Sequence, residues 1–421
     1  IITGHLDEPG GAMFARAAAF AANTMGKPGV GGGVVTGRHQ ARVSAAPEVY
    51  GELPITCLAE EIETPGVGQI RALVTVACNP VLSSPDGPRL ARALDQLDFM
   101  VSMDIYQNET TRHADVVLPG LSPLEDEHFD VAFAQLSWRN HARYSAPVFA
   151  APAIAMQEWQ TLLKLAAIVQ GKGAAADAWA LDQAQFEADA QRLFGAQAEA
   201  VIAATQGYRG PARNLEVALR CGPYGDGFGK QPGGLTLARV MAASADGGID
   251  LGALQPRIPE LLRTTSGKIE LAPPLLLDDL ARARADLGRA APALVLIGRR
   301  EVRSNNSWMH NLPVLAKGPA RCTLLVHPQD AQRLGLHDGG LARLHNGPRS
   351  IDAPVQFSTD MMPGVLSLPH GWGHDLADTQ LTLAAQRPGS NLNALLDDQL
   401  RDPLSGNAVL GGIAVTVEAL A

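Results

Sequence analysis

Cysteine is scarce in this chain. Four occur in 421 residues, Cys57, Cys78, Cys221 and Cys322, and they stand far apart. With no C-x-x-C pair, neither a zinc site nor an iron–sulfur site can be read from the spacing. So few cysteines in so long a chain also argue against a disulfide framework, and buried free thiols are the expectation. Long apolar runs are missing too: none reaches the roughly 18–20 residues that a bilayer span needs. A basic surplus is the third absence. Lys and Arg number 34 against 43 Asp and Glu, for a net charge of −9, which argues against a general nucleic-acid binder. The opening Ile1-Ile2-Thr3-Gly4 shows neither an initiator Met nor a signal-peptide pattern, and a cytoplasmic location is the default. The apolar content of 46% suffices for a sizeable core, and the length suggests two or three domains.

The stretch that organises the rest is Leu97–Pro119, LDFMVSMDIYQNETTRHADVVLP. Phe99–Met103 and Val116–Leu118 are short apolar runs of the kind that form buried parallel strands. Between them lies a turn dense in donors and acceptors, including Asp104, Asn108, Thr110 and Asp115. Open α/β sheets bind ligands in the loops at the carboxyl ends of their strands, so a large polar cofactor is expected here. Upstream, Arg71–Ala77 is a further strand, followed by Cys78-Asn79-Pro80 and a helical pattern over Pro88–Leu97, which makes a parallel βαβ crossover. Asn79 either offers its amide to a ligand or, with Pro80, initiates a turn. Gly29–Gly33 lacks the preceding strand of a dinucleotide fingerprint and is read as a flexible turn.

Further along, Glu125, Glu127 and His128 could be taken for a metal cluster, but acidic residues near a helix start have a simpler explanation in the helix dipole. Gln157–Gln170 has helical apolar spacing, and Ala/Gln-rich helices continue to about residue 206. Arg263–Leu271 is expected as a hairpin and Leu275–Arg289 as a short helix. The last third differs: strands are expected at 293–297, 323–327, 341–345, 351–357, 364–368 and 413–417, with a short helix from Pro328. Many short strands at close spacing suggest a β-barrel. Two loops here are rich in polar groups. Gly298–His310, GRREVRSNNSWMH, is either an ordinary polar turn or a ligand loop in which Arg forks and Asn amides meet phosphates and carbonyls. Pro369–Asp375, PHGWGHD, spaces His370 and His374 as i, i+4, but its two glycines make a helical zinc pair improbable. No metal ligand is assigned.

These stretches together resemble the molybdopterin oxidoreductases of the dimethyl sulfoxide reductase type, in particular formate dehydrogenase and nitrate reductase relatives. The family has a strand ending in Asp, a Thr-rich turn and "ADVVLP", matched here by Asp104, Asn108–Thr111 and Ala114–Pro119. Its "GNP" loop is matched by Cys78-Asn79-Pro80, with Cys78 where Gly is usual. Its Gly-Arg loop is matched by Gly298–Met309, its "GWG" turn by 371–373, and its "N-x-N" loop by Asn391 and Asn393.

The resemblance implies an α/β fold: a parallel-sheet Rossmann-like domain over 1–150 with a helical insertion over 151–285, then a C-terminal double-psi-type β-barrel over 286–421. It implies bis-(molybdopterin guanine dinucleotide) with molybdenum or tungsten. The residues it assigns to cofactor binding are Asn79, Asp104, Asn108, Thr110, Asp115, Gly298, Arg299, Arg303, Asn305, Asn306, Ser307, Trp308, His310, His370, Asn391 and Asn393. It implies a small-molecule substrate and a redox partner, without nucleic acid. The family's metal ligand and iron–sulfur cysteines have no counterpart in these residues and are expected upstream of Ile1, so no catalytic residue is assigned. The alternative is a non-catalytic structural or electron-transfer-complex subunit of the same fold without molybdenum. Oligomeric state is left open.

Overall fold

The computed structural model describes residues 1–20, 36–153 and 155–420; the Gly29–Gly33 loop lies outside the described residues. Contacts divide the chain into two units, Ile1–Gly33 with Gly120–Leu271, and Val34–Pro119 with Ala272–Ala421. Both are therefore discontinuous, and neither follows a simple division in chain order.

The second unit begins with an antiparallel pair, β1 (Thr36–Gln40) and β2 (Pro47–Val49), and helix α1 (Leu58–Glu63). A three-stranded parallel sheet follows, ordered β3 (Ala72–Val76), β4 (Phe99–Asp104), β5 (Val116–Pro119). Helices α2 (Pro80–Ser83) and α3 (Gly87–Leu94) form the β3–β4 crossover. Helix α3 starts where Asp86, in the left-handed region at φ +48°, accepts the Arg89 N–H and Pro88 presets the first turn. Strand period 2 puts Thr75 and Ser102 on one face, where their hydroxyls pair at 2.6 Å. Ile62, Leu90, Leu94 and Met100 close the core; full burial of each such side chain contributes about 1.5–3 kcal/mol.

The first unit is mainly helical: α4 (Glu158–Val169), α5 (Ala178–Phe194), α6 (Ala198–Thr205), α7 (Gly210–Cys221) and α8 (Leu237–Ala242). Two small antiparallel pairs accompany them, β6 (His128–Phe129) with β8 (Tyr144–Ser145) and β7 (Arg139–Ala142) with β9 (Ile249–Ala253). Arg213 of α7 is 1% exposed. Its charge is compensated by Asp182 at 2.6 Å and by the Phe186 ring, 4.0 Å from its guanidinium carbon. The expected hairpin at Arg263–Leu271 is absent. The Thr264 hydroxyl donates to the Lys268 carbonyl and closes a turn without strands. The acidic 122–130 stretch opens no helix; it is turn and strand, so the dipole explanation fails there. Glu127 accepts from the Tyr144 hydroxyl, and among the described residues no cluster of three metal-ligating side chains exists.

The rest of the second unit holds α9 (Pro274–Leu287) and the seven-stranded sheet. Its strands are β10 (Val295–Arg299), β11 (Leu324–Val326), β12 (Leu341–Asn346), β13 (Arg349–Phe357), β14 (Val365–Pro369), β15 (Ile413–Ala414) and β16 (Thr416–Ala419), with α10 (Pro328–Leu334) after β11. Their order is β15-β10-β14-β11-β13-β12-β16. The two end strands are neighbours in sequence, separated by Val415 alone. A sheet whose edges are tied by one residue must curve round on itself, so this is a nearly closed, barrel-like sheet. One strand expected at 413–417 is thus two, because the chain turns at Val415 to pair with opposite ends of the sheet. Leu296, Leu324, Val326, Leu344, Leu366 and Leu368 fill its interior at 1% exposure or less. The cysteines are all free, but only Cys57 and Cys322 are buried; Cys78 and Cys221 are exposed.

Candidate functional site

Three loops of the second unit carry the sequence-predicted residues. The first follows β4. Asp104 caps the strand end, accepting from the Tyr106 N–H at 3.0 Å and from the Asn108 side-chain amide at 3.1 Å; burial pushes its carboxyl up. The Asn108 side-chain oxygen accepts the N–H groups of Thr110 and Thr111. Thr110 accepts the Val81 N–H and donates to Asn79, whose amide donates to Glu109 at 2.8 Å. Asn108, Glu109, Thr110 and Thr111 are all buried. The polar side chains of Asn79, Asn108 and Thr110 are therefore satisfied inside the protein and brace the loop from within. Asp115 sits elsewhere. It accepts the Met100 N–H at 2.7 Å, which places it at the amino end of the sheet, four residues or roughly 13 Å from Asp104. The two carboxylates cannot grip one guanine between them.

The second loop follows β10. Arg299 points its guanidinium back into the barrel, donating to the carbonyls of Ser367, Arg321 and Thr323, so it stitches strand ends rather than reaching outward. Arg303, Asn305 and Asn306 are exposed, and among the described residues their side chains have no hydrogen-bond partner. Asn305 and Asn306 both have positive φ, +39° and +63°, a conformation Asn tolerates better than most residues. The third loop, 369–375, packs on the second. Gly371, at φ +92°, lies so close that a Cβ would overlap the Asn306 carbonyl oxygen, and Trp372 stacks 4.1 Å from the His310 ring. A Cβ at Gly373 would stand 2.7 Å from that of Asn391.

Asn391 and Asn393 reach α2: their amides donate to the carbonyls of Val81 and Leu82, at 3.5 and 2.7 Å. A buried chain joins the same elements. Ser304 Oγ meets His310 Nε2 at 2.7 Å, His310 Nδ1 meets His374 Nε2 at 2.8 Å, and His374 Nδ1 meets Glu109 Oε1 at 2.8 Å. His374 and Glu109 are 1% and 0% exposed at the side chain. Sequence reasoning weighed His374 only as half of a zinc pair and assigned no role to Ser304 or Glu109. Their separations of 64 and 265 positions carry no local signal; only the charge-bearing residues inside otherwise matched loops could have flagged them. Ser307, Trp308 and His370 are half-buried on these loops. Gly298 is exposed, and a Cβ there would meet Leu392 at 3.4 Å, so its smallness is not demanded by packing.

Two family profiles match this arrangement: one described as "Molybdopterin oxidoreductase" over residues 5–167, and one described as "Molydopterin dinucleotide binding domain" over residues 294–413. The chain belongs to the molybdopterin oxidoreductases. Among similar members, the alpha chain of the NADPH-Fe(3+) oxidoreductase of Geobacter sulfurreducens is 25% identical over 72% of this chain and 27% of that protein. A putative dimethyl sulfoxide reductase of Halobacterium salinarum, in its catalytic polypeptide, is 26% identical over 70% of this chain and 32% of its own length. The catalytic polypeptide of the assimilatory nitrate reductase of Bacillus subtilis reaches 34% over 27% of this chain and 15% of that protein. The chain thus spans about a third or less of these relatives. Acetylene hydratase from Pelobacter acetylenicus shares the fold, with a TM-score of 0.56 and 18% identity over 86% of this chain and 46% of that one.

The donor set of this molybdopterin oxidoreductase chain fits a polar dinucleotide. Arg303, Asn305 and Asn306 offer unengaged donors for phosphate and carbonyl oxygens. A cavity of about 470 Å³ beside α2 is walled in part by Arg112, Arg343, Ser350, Ser390 and Asn391, enough for a nucleoside with its ribose.

Proposed function

We propose that this chain forms the cofactor-holding part of a molybdenum or tungsten oxidoreductase that carries bis-(molybdopterin guanine dinucleotide) and works with a redox partner on a small-molecule substrate. The observation that carries this reading is the loop of 298–310 after β10, which holds Arg303, Asn305 and Asn306 outward, without protein partners among the described residues, on a backbone fixed by the Gly371 contact. Preorganised unpaired donors are what a polyanionic ligand requires. In this reading Arg303, Asn305, Asn306 and Ser307 bind the cofactor directly, and Asp104 accepts the paired N–H groups of a guanine. Asn79, Asn108, Thr110, Arg299, Asn391 and Asn393 act one step back, holding those loops in place.

The division of labour within the second unit supports it: the edge of the three-stranded parallel sheet supplies Asp104, and the barrel-like sheet supplies the 298–310 loop; in this reading they are the Rossmann-like and double-psi-type parts of the fold. When bound, the group would supply two-electron redox chemistry, and the protein would orient and tune it. The names of the relatives put nitrate, dimethyl sulfoxide and formate first among substrates to screen.

The test is the metal and pterin content of the full-length protein made in a cofactor-competent host. Molybdenum or tungsten with about two pterins per chain is the expected result; a well-folded preparation with neither would leave the non-catalytic reading in its place.

A further inference from the structure

The first unit holds a cavity to which no residue of the proposed cofactor site belongs. Two helix stripes form its sides: Phe186, Ala190, Leu193 and Phe194 recur at helical spacing on α5, and Leu215 and Ala218 on α7. Strands β6 and β8 add a third side, because their pairing sets Phe129 opposite Tyr144. The space is about 610 Å³, within the range of small-molecule sites. Its aromatic rings are anchored. Phe186 carries the Arg213 guanidinium at 4.0 Å, and Phe194 meets Phe228 edge-on with ring centres 6.3 Å apart. Leu193 is left 62% exposed, a large apolar side chain uncovered at the rim.

The charges in this wall do not balance. Arg192 donates to Asp189 at 2.9 Å, so these two offset each other. Glu127 has no cationic partner among the described residues. Its Oε2 accepts the Tyr144 hydroxyl at 2.5 Å, whereas its Oε1 is accessible and accepts no hydrogen bond among them. Burial, the bond and charge of Glu127, and the charge of Asp126 all push the Tyr144 hydroxyl up. The hydroxyl therefore stays a donor, and the field at this end of the cavity is negative. Glu127 also lines a smaller cavity of about 330 Å³ together with Glu125 and Asp126. On α7, Asn214 turns an exposed amide to the same space, without a partner among the described residues. His128, exposed beside Glu127, is the remaining titratable group of the wall.

An aromatic chamber with one uncompensated carboxylate selects a cation that carries its own apolar body. The carboxylate accepts a charge-assisted bond, and ring faces attract positive charge and stack on a second ring. We propose that this cavity of the first unit binds an organic ammonium ion with an aromatic body, with Glu127 as its counter-ion and Phe129, Phe186 and Phe194 about its ring. An anionic ligand would meet Glu127 with no free guanidinium to offset it, since Arg192 is engaged by Asp189 and Arg213 by Asp182. The inference does not rest on the molybdopterin reading, because every group in it lies in the first unit and none is given to the cofactor.

The probe is 2-(1-naphthyl)ethylammonium, titrated with the purified full chain at pH 8, where imidazoles are ordinarily neutral, and read by the fluorescence anisotropy of the naphthalene. Two isosteres separate charge from ring: 2-(1-naphthyl)ethanol, which is neutral, and 1-naphthylacetate, which is anionic. The ammonium should bind about tenfold tighter than the alcohol, and the acetate more weakly than either. Glu127→Gln keeps an acceptor for the Tyr144 hydroxyl and removes the charge. The ammonium should then bind no better than the alcohol, while Kd for the alcohol stays within about twofold and reports that the variant is folded. Leu193→Lys sets a cation on the exposed rim without touching the buried wall, and should cut the ammonium preference about threefold; it decides alone if Glu127→Gln does not fold. No anisotropy change at millimolar ammonium, equal affinity for the three probes, or an ammonium preference that survives either variant intact would each overturn the proposal.

Discussion

Two loops of this protein are equally polar in sequence and opposite in use. The loop after β4 contains Asp104, Asn108, Glu109, Thr110 and Thr111, and the structure buries four of the five and pairs their polar atoms with one another. The loop after β10 contains Arg303, Asn305 and Asn306, and leaves all three exposed and, among the described residues, unpaired. The difference lies in what each must support. The first closes over the end of a small parallel sheet, where every buried donor and acceptor has to be satisfied. The second lies on the rim of a barrel whose core is already closed by leucines, so its side chains are free to face a ligand. Polarity in a sequence therefore marks two different things: internal bracing and external recognition.

The comparison breaks most sharply at Glu109. Removing one member of a buried, paired set leaves the other uncompensated, at a cost of about 3–5 kcal/mol. Glu109→Ala should lower stability by that much in urea denaturation, since His374 and Asn79 both lose their acceptor; a change below about 1 kcal/mol would mean the loop is not braced as described. Gly371→Ala attacks the scaffold of the other loop. A Cβ there overlaps the Asn306 carbonyl at a positive φ, and the expected loss is about 1–3 kcal/mol by the same measurement.

Much of this architecture was legible. The strands Ala72–Val76, Phe99–Asp104 and Val116–Pro119 are short β-rich runs bounded by turn residues, and all three lie within one or two residues of their expected ends. The barrel strands likewise announced themselves by spacing. The final strand did not, because the break at Val415 follows from sheet closure, a long-range condition with no local mark. Arg299 shows a second limit. As a residue type it suits phosphate, and only its fork onto three barrel carbonyls reveals a structural task. Asp115 shows a third: it sits eleven positions from Asp104 in sequence, yet the crossover between β4 and β5 carries the chain back to the amino end of the sheet, beside Met100. Chain proximity gave no warning of that.

The pH dependence sharpens the internal side of the comparison. Glu109 is held below its unfolded value, so its contribution is present above the unfolded carboxylate range and is lost as pH falls through its folded value. His310 is pushed from 6.5 to about 3. Between those values the unfolded chain binds a proton that the folded one refuses, so stability again falls with acid, by up to about 1.4 kcal/mol per pH unit for that one proton. Denaturation midpoints measured from pH 7 to pH 4 should therefore drop steadily, and His310→Gln should flatten the upper part of that slope. A midpoint that holds level over this range would show that the His310 imidazole is not desolvated.

The smallest effect on stability is expected where the largest effect on binding is. Arg303→Ala and Asn305→Gly remove exposed side chains without protein partners among the described residues, glycine keeping the positive φ of Asn305 without strain, and each should alter the unfolding free energy by no more than about 0.5 kcal/mol. If these groups hold a phosphate or carbonyl of the dinucleotide, each lost charge-assisted bond removes about 1.5–3 kcal/mol of binding, a tenfold or greater loss of affinity. Pterin retained through gel filtration, read by fluorescence, should accordingly fall in both variants while their denaturation curves overlay the parent. Glu109→Ala provides the opposite control, since it weakens the fold directly. Full pterin retention in Arg303→Ala and Asn305→Gly together would place the contacts elsewhere and remove the distinction between the two loops.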